Sequence, residues 1–276
     1  MTLTLFYALA FTPGLTPTLA YALLTHFGSA QAIFAATVDQ LTQVPGITAE
    51  IATRLLAAPV NDYANEIATL TQAGLHALYP YKDPYPINLR YTPTPPLVLF
   101  TRGKPIPVDL NAVAILGGRQ PTPAALKLTA HLASGLADRG LTVVTSLNRG
   151  VDITALRAAL AIGGRAFAVL NHGLQAPVYP PEHADVLPEL AWQGAILTPF
   201  RPADPAAAPH NPIRDAVILG LSRALLLPFL DPDDPRTLLP NLAAQTRRLV
   251  LTPADFDPTN LDTLADTILS HSIQPG

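Results

Sequence analysis

Short apolar runs recur at 97–101, 112–116, 142–146, 166–170, 195–197, 224–227 and 248–251, each separated from the next by a helical stretch. Such runs lack the in-and-out alternation of a half-exposed sheet, so both faces of the sheet they build must be covered. Strand and helix in repeated succession predict an α/β fold with a doubly wound, mainly parallel sheet of Rossmann-like type. In such a sheet, loops leaving the carboxyl ends of neighbouring strands converge on one crevice, where ligands bind.

Residues 3 to 75 read differently. Helical periodicity near 3–10, 17–27, 30–36, 38–43, 48–57 and 61–73, punctuated by Gly and Pro, predicts a small all-helical domain over 1–78. Its segment LTQVPGITAEIATRLLA has the form of a helix-hairpin-helix, as in SAM-like domains, with a Pro-Gly turn between two helices. The turn either presents backbone N–H groups to a phosphate or is only a bundle turn, and Thr48, where a second glycine is usual, weakens the first reading. The Pro- and Tyr-rich stretch 79–96 lacks period and reads as a connector opening a second domain over 79–276. After residue 250 there is room for one helix and a tail, with no winged-helix appendage expected.

Composition narrows the chemistry. A net charge of -3 excludes coating of nucleic acid by bulk electrostatics, so a polyanion would be held by a local basic patch. The chain has no cysteine, which excludes disulfides and thiolate chemistry. The start MTLTLFYALAFTPG has no basic flank or cleavage site, and reads as an amphipathic helix of a cytoplasmic protein with no membrane span. Glu50, Glu66, Glu182 and Glu189 lie outside the glycine-rich loops, and His172, His183 and His210 are scattered at hydrogen-bonding or surface positions. With no hydrolase, P-loop or zincin motif present, no catalytic residue, metal or cofactor is expected. The acidic tract Asp231, Asp233, Asp234, interleaved with Pro232 and Pro235, reads as a solvated loop.

Candidate anion-binding residues cluster in three loops. After VAIL come Gly117 and Gly118, which let the backbone approach a ligand, then Arg119, suited to a forked pair with phosphate, and Thr122, the cap of the next helix. Pro123 suits the first turn of that helix, and Leu126, Ala130, Ala133 and Leu136 predict its apolar face. The second loop carries Ser146, Asn148, Arg149, Gly150 and Asp152, the last read first as a helix N-cap. In the third, Asn211 and Arg214 precede a helix, and Arg223 follows it.

These residues, in this order, resemble the DNA-processing protein A family, also called Smf. VAILGGRQPT is similar to its V-A-I-V-G-S-R-x-x-T, TSLNRGVD to its S-G-L-A-R-G-I-D, and VYPPEH to its Y-P-x-x-N stretch, while KDPYPINLR matches its connector. The resemblance implies a basic pocket for single-stranded DNA, no cofactor, a homodimer, and loading of RecA recombinase during DNA uptake. It carries over Gly117, Arg119, Thr122, Arg149, Gly150 and Asp152. Departures are Gly118 for Ser, Asn148 for Ala, Leu156 for His, and Phe229 near an expected acid. The family's R-N-R is reduced to Arg214-Asp215-Ala216, and PRTLLPN replaces its Gly-Ser-Leu/Ile-Thr-Ala loop. A lost arginine and a gained acid weaken phosphate binding. The alternatives are a nucleotide-binding sensor of the same superfamily, a related phosphoribohydrolase whose catalytic Glu has no counterpart here, and a scaffold acting through protein contacts.

Overall fold

The computed structural model describes residues 2–272. It divides into two compact units, one of Met1–Asp83 with Thr94–Leu99 and one of Pro84–Pro93 with Phe100–Gly276.

The first unit contains α1 (Thr2–Phe11), α2 (Pro17–Phe27), α3 (Ala30–Ala35), α4 (Val38–Leu41), α5 (Ala49–Leu56), α6 (Val60–Gln72) and the short strand β1 (His76–Leu78). Several helices begin where a short polar side chain closes an open backbone donor. Thr16 accepts from Leu19 N, Ser29 from Ala32 N and Thr48 from Ile51 N, while Thr37 and Gln40 cap each other reciprocally. Read as amphipathic, α1 is instead buried continuously from Thr4 to Leu9, the state of a helix enclosed by its neighbours. At the Pro-Gly turn, Gly46 has φ +89°, and a Cβ there would stand 2.7 Å from Leu19 Cδ2. Ile47 N–H donates to Val44 O, and with Ile51 N–H taken by Thr48 this supports the bundle turn over the phosphate-facing one.

The second unit opens with α7 (Ile87–Arg90), inside the stretch expected to be an aperiodic connector. Asn88 anchors it: the side chain is buried and its Nδ2 donates to Leu110 O at 3.0 Å and Leu221 O at 2.9 Å. Then follow β2 (Leu99–Gly103), β3 (Ala112–Ile115), α8 (Pro123–Asp138), β4 (Thr142–Thr145), α9 (Val151–Ala161), β5 (Ala166–Val169), α10 (Leu187–Gln193), β6 (Ala195–Thr198), α11 (His210–Leu221), β7 (Ala224–Leu226), α12 (Leu239–Gln245), β8 (Leu249–Leu251) and α13 (Leu261–Ser270). The strands from β2 onward lie in the order β2-β6-β5-β4-β3-β7-β8. All these neighbours pair in parallel except β2 with β6. Both faces are covered, as the uninterrupted apolar strands require. Leu132, Leu136, Leu156, Leu160, Leu190, Leu264 and Ile268 from α8, α9, α10 and α13 join the strands in one core, and α11 packs on the sheet beside α7 and α12.

From β3 the chain winds through β4 and β5 to β6, then returns past β3 to β7. The winding direction therefore reverses between β3 and β7, and the crevice of the fold lies outside their carboxyl ends. Helix α8 keeps the expected cap, with Thr122 accepting from Ala125 N, but its buried stripe is Ala125, Thr129, Leu132, Ala133, Leu136 and Ala137. Leu126 and Ala130 are half-buried, so the true face is turned by about one residue from the expected one. Among the described residues no helix is long and apolar enough to cross a membrane.

At the amino end of the sheet, Asp109 is buried and accepts from Arg165 Nε and Nη2 at 2.8 Å, Thr142 Oγ1 at 2.7 Å and Ile106 N at 2.7 Å. Arg165 keeps partial solvent contact, which softens the loss of its partner. Asp109→Ala is expected to lower the unfolding free energy by about 2 to 3 kcal/mol, read by urea denaturation.

Candidate nucleic-acid interface

Beyond β3 the chain passes Leu116 into Gly117 and Gly118, both buried. Gly117 N–H donates to Asp152 Oδ1 at 3.2 Å, Gly118 N–H to Phe229 O at 3.0 Å, and Val151 N–H to Gly118 O at 3.2 Å. Gly150 has φ +79°, and a Cβ on it would stand 2.8 Å from Arg119 O. The loops leaving β3 and β4 thus lie against each other, as their place on adjacent parallel strands requires. The two glycines after β3 admit the protein's own chain: a Cβ on Gly117 would meet Phe229 O and Val151, and one on Gly118 would stand 2.5 Å from Asp231 Oδ2.

Asp152 departs from the N-cap expectation. Gly150 occupies the cap position, and Asp152 is the second residue of α9 with its carboxylate fully buried. Its Oδ1 accepts from Gly117 N and from Arg236 Nη1 at 2.9 Å, and its Oδ2 from Ser146 Oγ at 2.5 Å and Arg236 Nη2 at 2.8 Å. A carboxylate this deep stays ionised only beside a cation and several donors, and it has both.

Arg236 directly follows the acidic, Pro-interleaved tract 231–235, which reads by sequence as a solvated loop. Besides Asp152 it reaches Gly117 O at 2.8 Å and Asp215 Oδ2 at 3.1 Å. Asp215 also binds Arg214 Nε at 2.8 Å, and Arg214 Nη1 donates to Asn211 Oδ1 at 3.0 Å, an atom shared with Asn171 Nδ2 at 2.9 Å. Arg214, Arg236, Asp152 and Asp215 are 2%, 5%, 0% and 4% exposed, so two guanidiniums and two carboxylates form a buried, electrically neutral cluster. Burial alone would lower the Arg236 pKa, but Asp152 and Asp215 outweigh it and raise it; at Arg214 burial prevails over the pull of Asp215, and the pKa falls. By sequence Arg214 reads as solvated or facing the crevice; it is instead buried beneath it. The missing signal was a balance of charge: acids at 152 and 215 in apolar surroundings demand a cation, and Arg236 supplies it.

The outer rim carries the remaining cations. Arg119 is exposed and, among the described residues, has neither an ion pair nor a hydrogen bond to its side chain. Arg149, with a side chain 54% exposed, pairs with Glu182, itself 45% exposed. Ser146 and Asn148 are buried in the second loop, where Asn148 N–H donates to Ser146 Oγ at 3.1 Å. Arg223 lies at the amino end of β7, away from the loops, and donates to Leu110 O, Leu269 O and His271 O. His172, His183 and His210 make backbone hydrogen bonds. His183 Nδ1 meets Leu147 O at 2.6 Å, and His210 Nδ1 meets Asn171 O at 2.8 Å while its ring stacks on Phe200. His172 Nε2 accepts from Tyr179 N, which assigns the ring proton to Nδ1, facing Gly173 O at 2.8 Å.

The sequence pattern described as DNA recombination-mediator protein A matches residues 76–229. The chain belongs to the DNA recombination-mediator protein A family. A SAM-like helix-hairpin-helix tandem pattern matches residues 6–58. Among relatives, the Protein Smf of Escherichia coli is 31% identical over 205 residues, 74% of this chain and 54% of that protein, and the Protein Smf of Synechocystis is 32% identical over 54% of this chain and 38% of that protein. The chain thus spans about half or less of the length of these relatives. The solved structure of DNA processing protein A from Streptococcus pneumoniae shares the fold, with a TM-score of 0.78, 20% identity and coverage of 97% of this chain and 93% of that one. That from Helicobacter pylori, described for its single-stranded DNA binding mode, gives a TM-score of 0.59 at 23% identity, covering 71% of this chain and 95% of that one. The DNA recombination-mediator pattern ends at Phe229, so Arg236 lies outside the matched span.

Arg236→Ala strands two buried carboxylates and is expected to cost about 3 to 5 kcal/mol of stability. Arg149→Ala, at an exposed pair, is expected to leave the midpoint nearly unchanged in the same denaturation experiment. Burial lowers the His172 pKa against the raising effect of its bond to Gly173, so the folded protein holds this proton less readily than the unfolded chain. Stability is then full above about pH 6.5, where the unfolded imidazole is neutral, and falls as the pH drops below it. Urea midpoints at about pH 7.5 and 5 are expected to show this loss, and His172→Gln to reduce it.

Proposed function

We propose that the loop cluster beyond β3 and β4 and at the start of α11 binds single-stranded DNA, and that the protein, as a cytoplasmic homodimer, passes the strand to RecA recombinase during DNA uptake and recombination. The reading includes no cofactor and no catalytic step. One observation carries it: on the rim of two abutting glycine turns, Arg119 is unpaired among the described residues and Arg149 is held by an exposed acid, Glu182, with Tyr179 beside it. A phosphate can replace Glu182 at little cost, since solvent screens an exposed ion pair. Gly117, Gly118, Gly150 and Thr122 shape the rim, while Ser146, Asn148, Asp152, Asn211 and Arg214 hold it from beneath. Family membership supports the reading, as does the single-stranded DNA binding mode described for the Helicobacter pylori protein.

Fluorescence anisotropy with a labelled poly-thymidine oligonucleotide tests it. Binding is expected to weaken with salt, and each rim arginine removed to lower the log–log salt slope by about 0.7. The double variant Arg119→Ala with Arg149→Ala is expected to bind about tenfold more weakly at low salt, whatever the base sequence. Equal binding by the parent and the double variant removes the rim as the site. Passage to RecA is read separately, as faster RecA ATP hydrolysis on the oligonucleotide when the protein is present.

A further inference from the structure

We propose that residues 229–238 form an autoinhibitory strap, in which the Asp231 carboxylate takes the place of a DNA phosphate on the Gly117–Gly118 turn. The inference rests on the reading of this site as a single-strand DNA interface and adds how entry to it is controlled.

The strap leaves β7 on the side of β3 where the winding reverses, so it crosses the mouth of the crevice in which a sheet of this type takes its ligand. Phe229 O accepts the Gly118 N–H, a donor that a ligand anion would otherwise claim. Two residues on, Asp231 Oδ2 lies so near Gly118 that a Cβ there would be 2.5 Å from it, and the Phe229 ring would be 3.1 Å away. A carboxylate and a phosphate oxygen share charge and hydrogen-bonding chemistry, so a strand laid along Gly118 toward Arg119 meets an acid already in position.

The strap is held unevenly. Its far end is fixed by Arg236, which binds Asp152, Asp215 and Gly117 O in the buried cluster. Its tip is braced mainly from within: Asp234 N–H donates to Asp231 O, Thr237 N–H to Asp234 O, and Asp234 Oδ1 accepts from Arg236 N. Pro232 and Pro235 stiffen this turn and carry no N–H. Across the gap, Gly118 N–H donates to Phe229 O at the start of the strap, and among the described residues no hydrogen bond joins residues 231–234 to the glycine turn. The tip can therefore lift as a unit while the Arg236 anchor stays in place.

The test compares the full chain with Asp231→Asn and Asp233→Asn in the same anisotropy titration at low salt. Each variant removes one acid from the strap, but Asp233 is exposed and does not touch the glycine turn. Asp231→Asn is expected to bind poly-thymidine at least about threefold more tightly than Asp233→Asn, with a steeper salt slope. That outcome supports the strap whether or not the parent binds measurably. Equal affinities for the two variants, with the parent binding, overturn the strap and leave the proposed function standing. No binding by the parent or by Asp231→Asn overturns both. Since the chain has no cysteine, Gly118→Cys with Asp231→Cys gives a second check in one protein. The oxidised, tethered form is expected to bind at least about tenfold more weakly than the reduced form, and equal binding again overturns the strap.

Discussion

The Asp152–Arg236–Asp215 ion cluster is the contact on which the shape of the interface depends. It joins four pieces of chain far apart in sequence: the glycine turn after β3 through Gly117, the start of α9 through Asp152, the first turns of α11 through Arg214 and Asp215, and the segment after β7 through Arg236. Each charge in it is tolerable only because the others are present, since an isolated buried ion costs several kcal/mol and a matched pair recovers most of that. The backbone glycines then settle around the cluster.

The sheet was legible because its signal is local. Seven apolar runs, each bounded by helical sequence, correspond to β2 through β8, and order along the chain with short connections leaves few ways to wind them. The caps at Thr122, Thr16 and Ser29 belong to the same kind of information, a side chain and a donor three residues apart. What could not be read locally was which cation answers which acid. Asp152 looked like a cap because a carboxylate at a helix start usually accepts its own helix's N–H groups; a guanidinium 84 residues later outcompeted them. The tract around Pro232 and Pro235 looked solvated for the same reason, because its role is set by what it lies against. The connector hid α7 because distant groups fix that turn in place: Asn88 through Leu110 and Leu221, and Arg248 through the Asn88 carbonyl.

A division of labour follows within the loop cluster. Charges under the surface hold geometry and cancel one another; charges on the rim are left to act on solvent and solutes. Counting arginines near the motifs overstates the attraction such a site can exert, since Arg214 and Arg236 contribute no net charge beyond their two acids. The field at the mouth is set by Arg119, by Arg149 against Glu182, and by the acids of the strap.

Gly118 gives this arrangement a written trace. A Cβ at this position would stand 2.5 Å from Asp231 Oδ2. A glycine at this position and a segment folded down over the turn are thus one trait expressed at two distant sites. Any residue larger than glycine at 118 must push the Asp231 carboxylate aside before the segment after β7 can lie where it does.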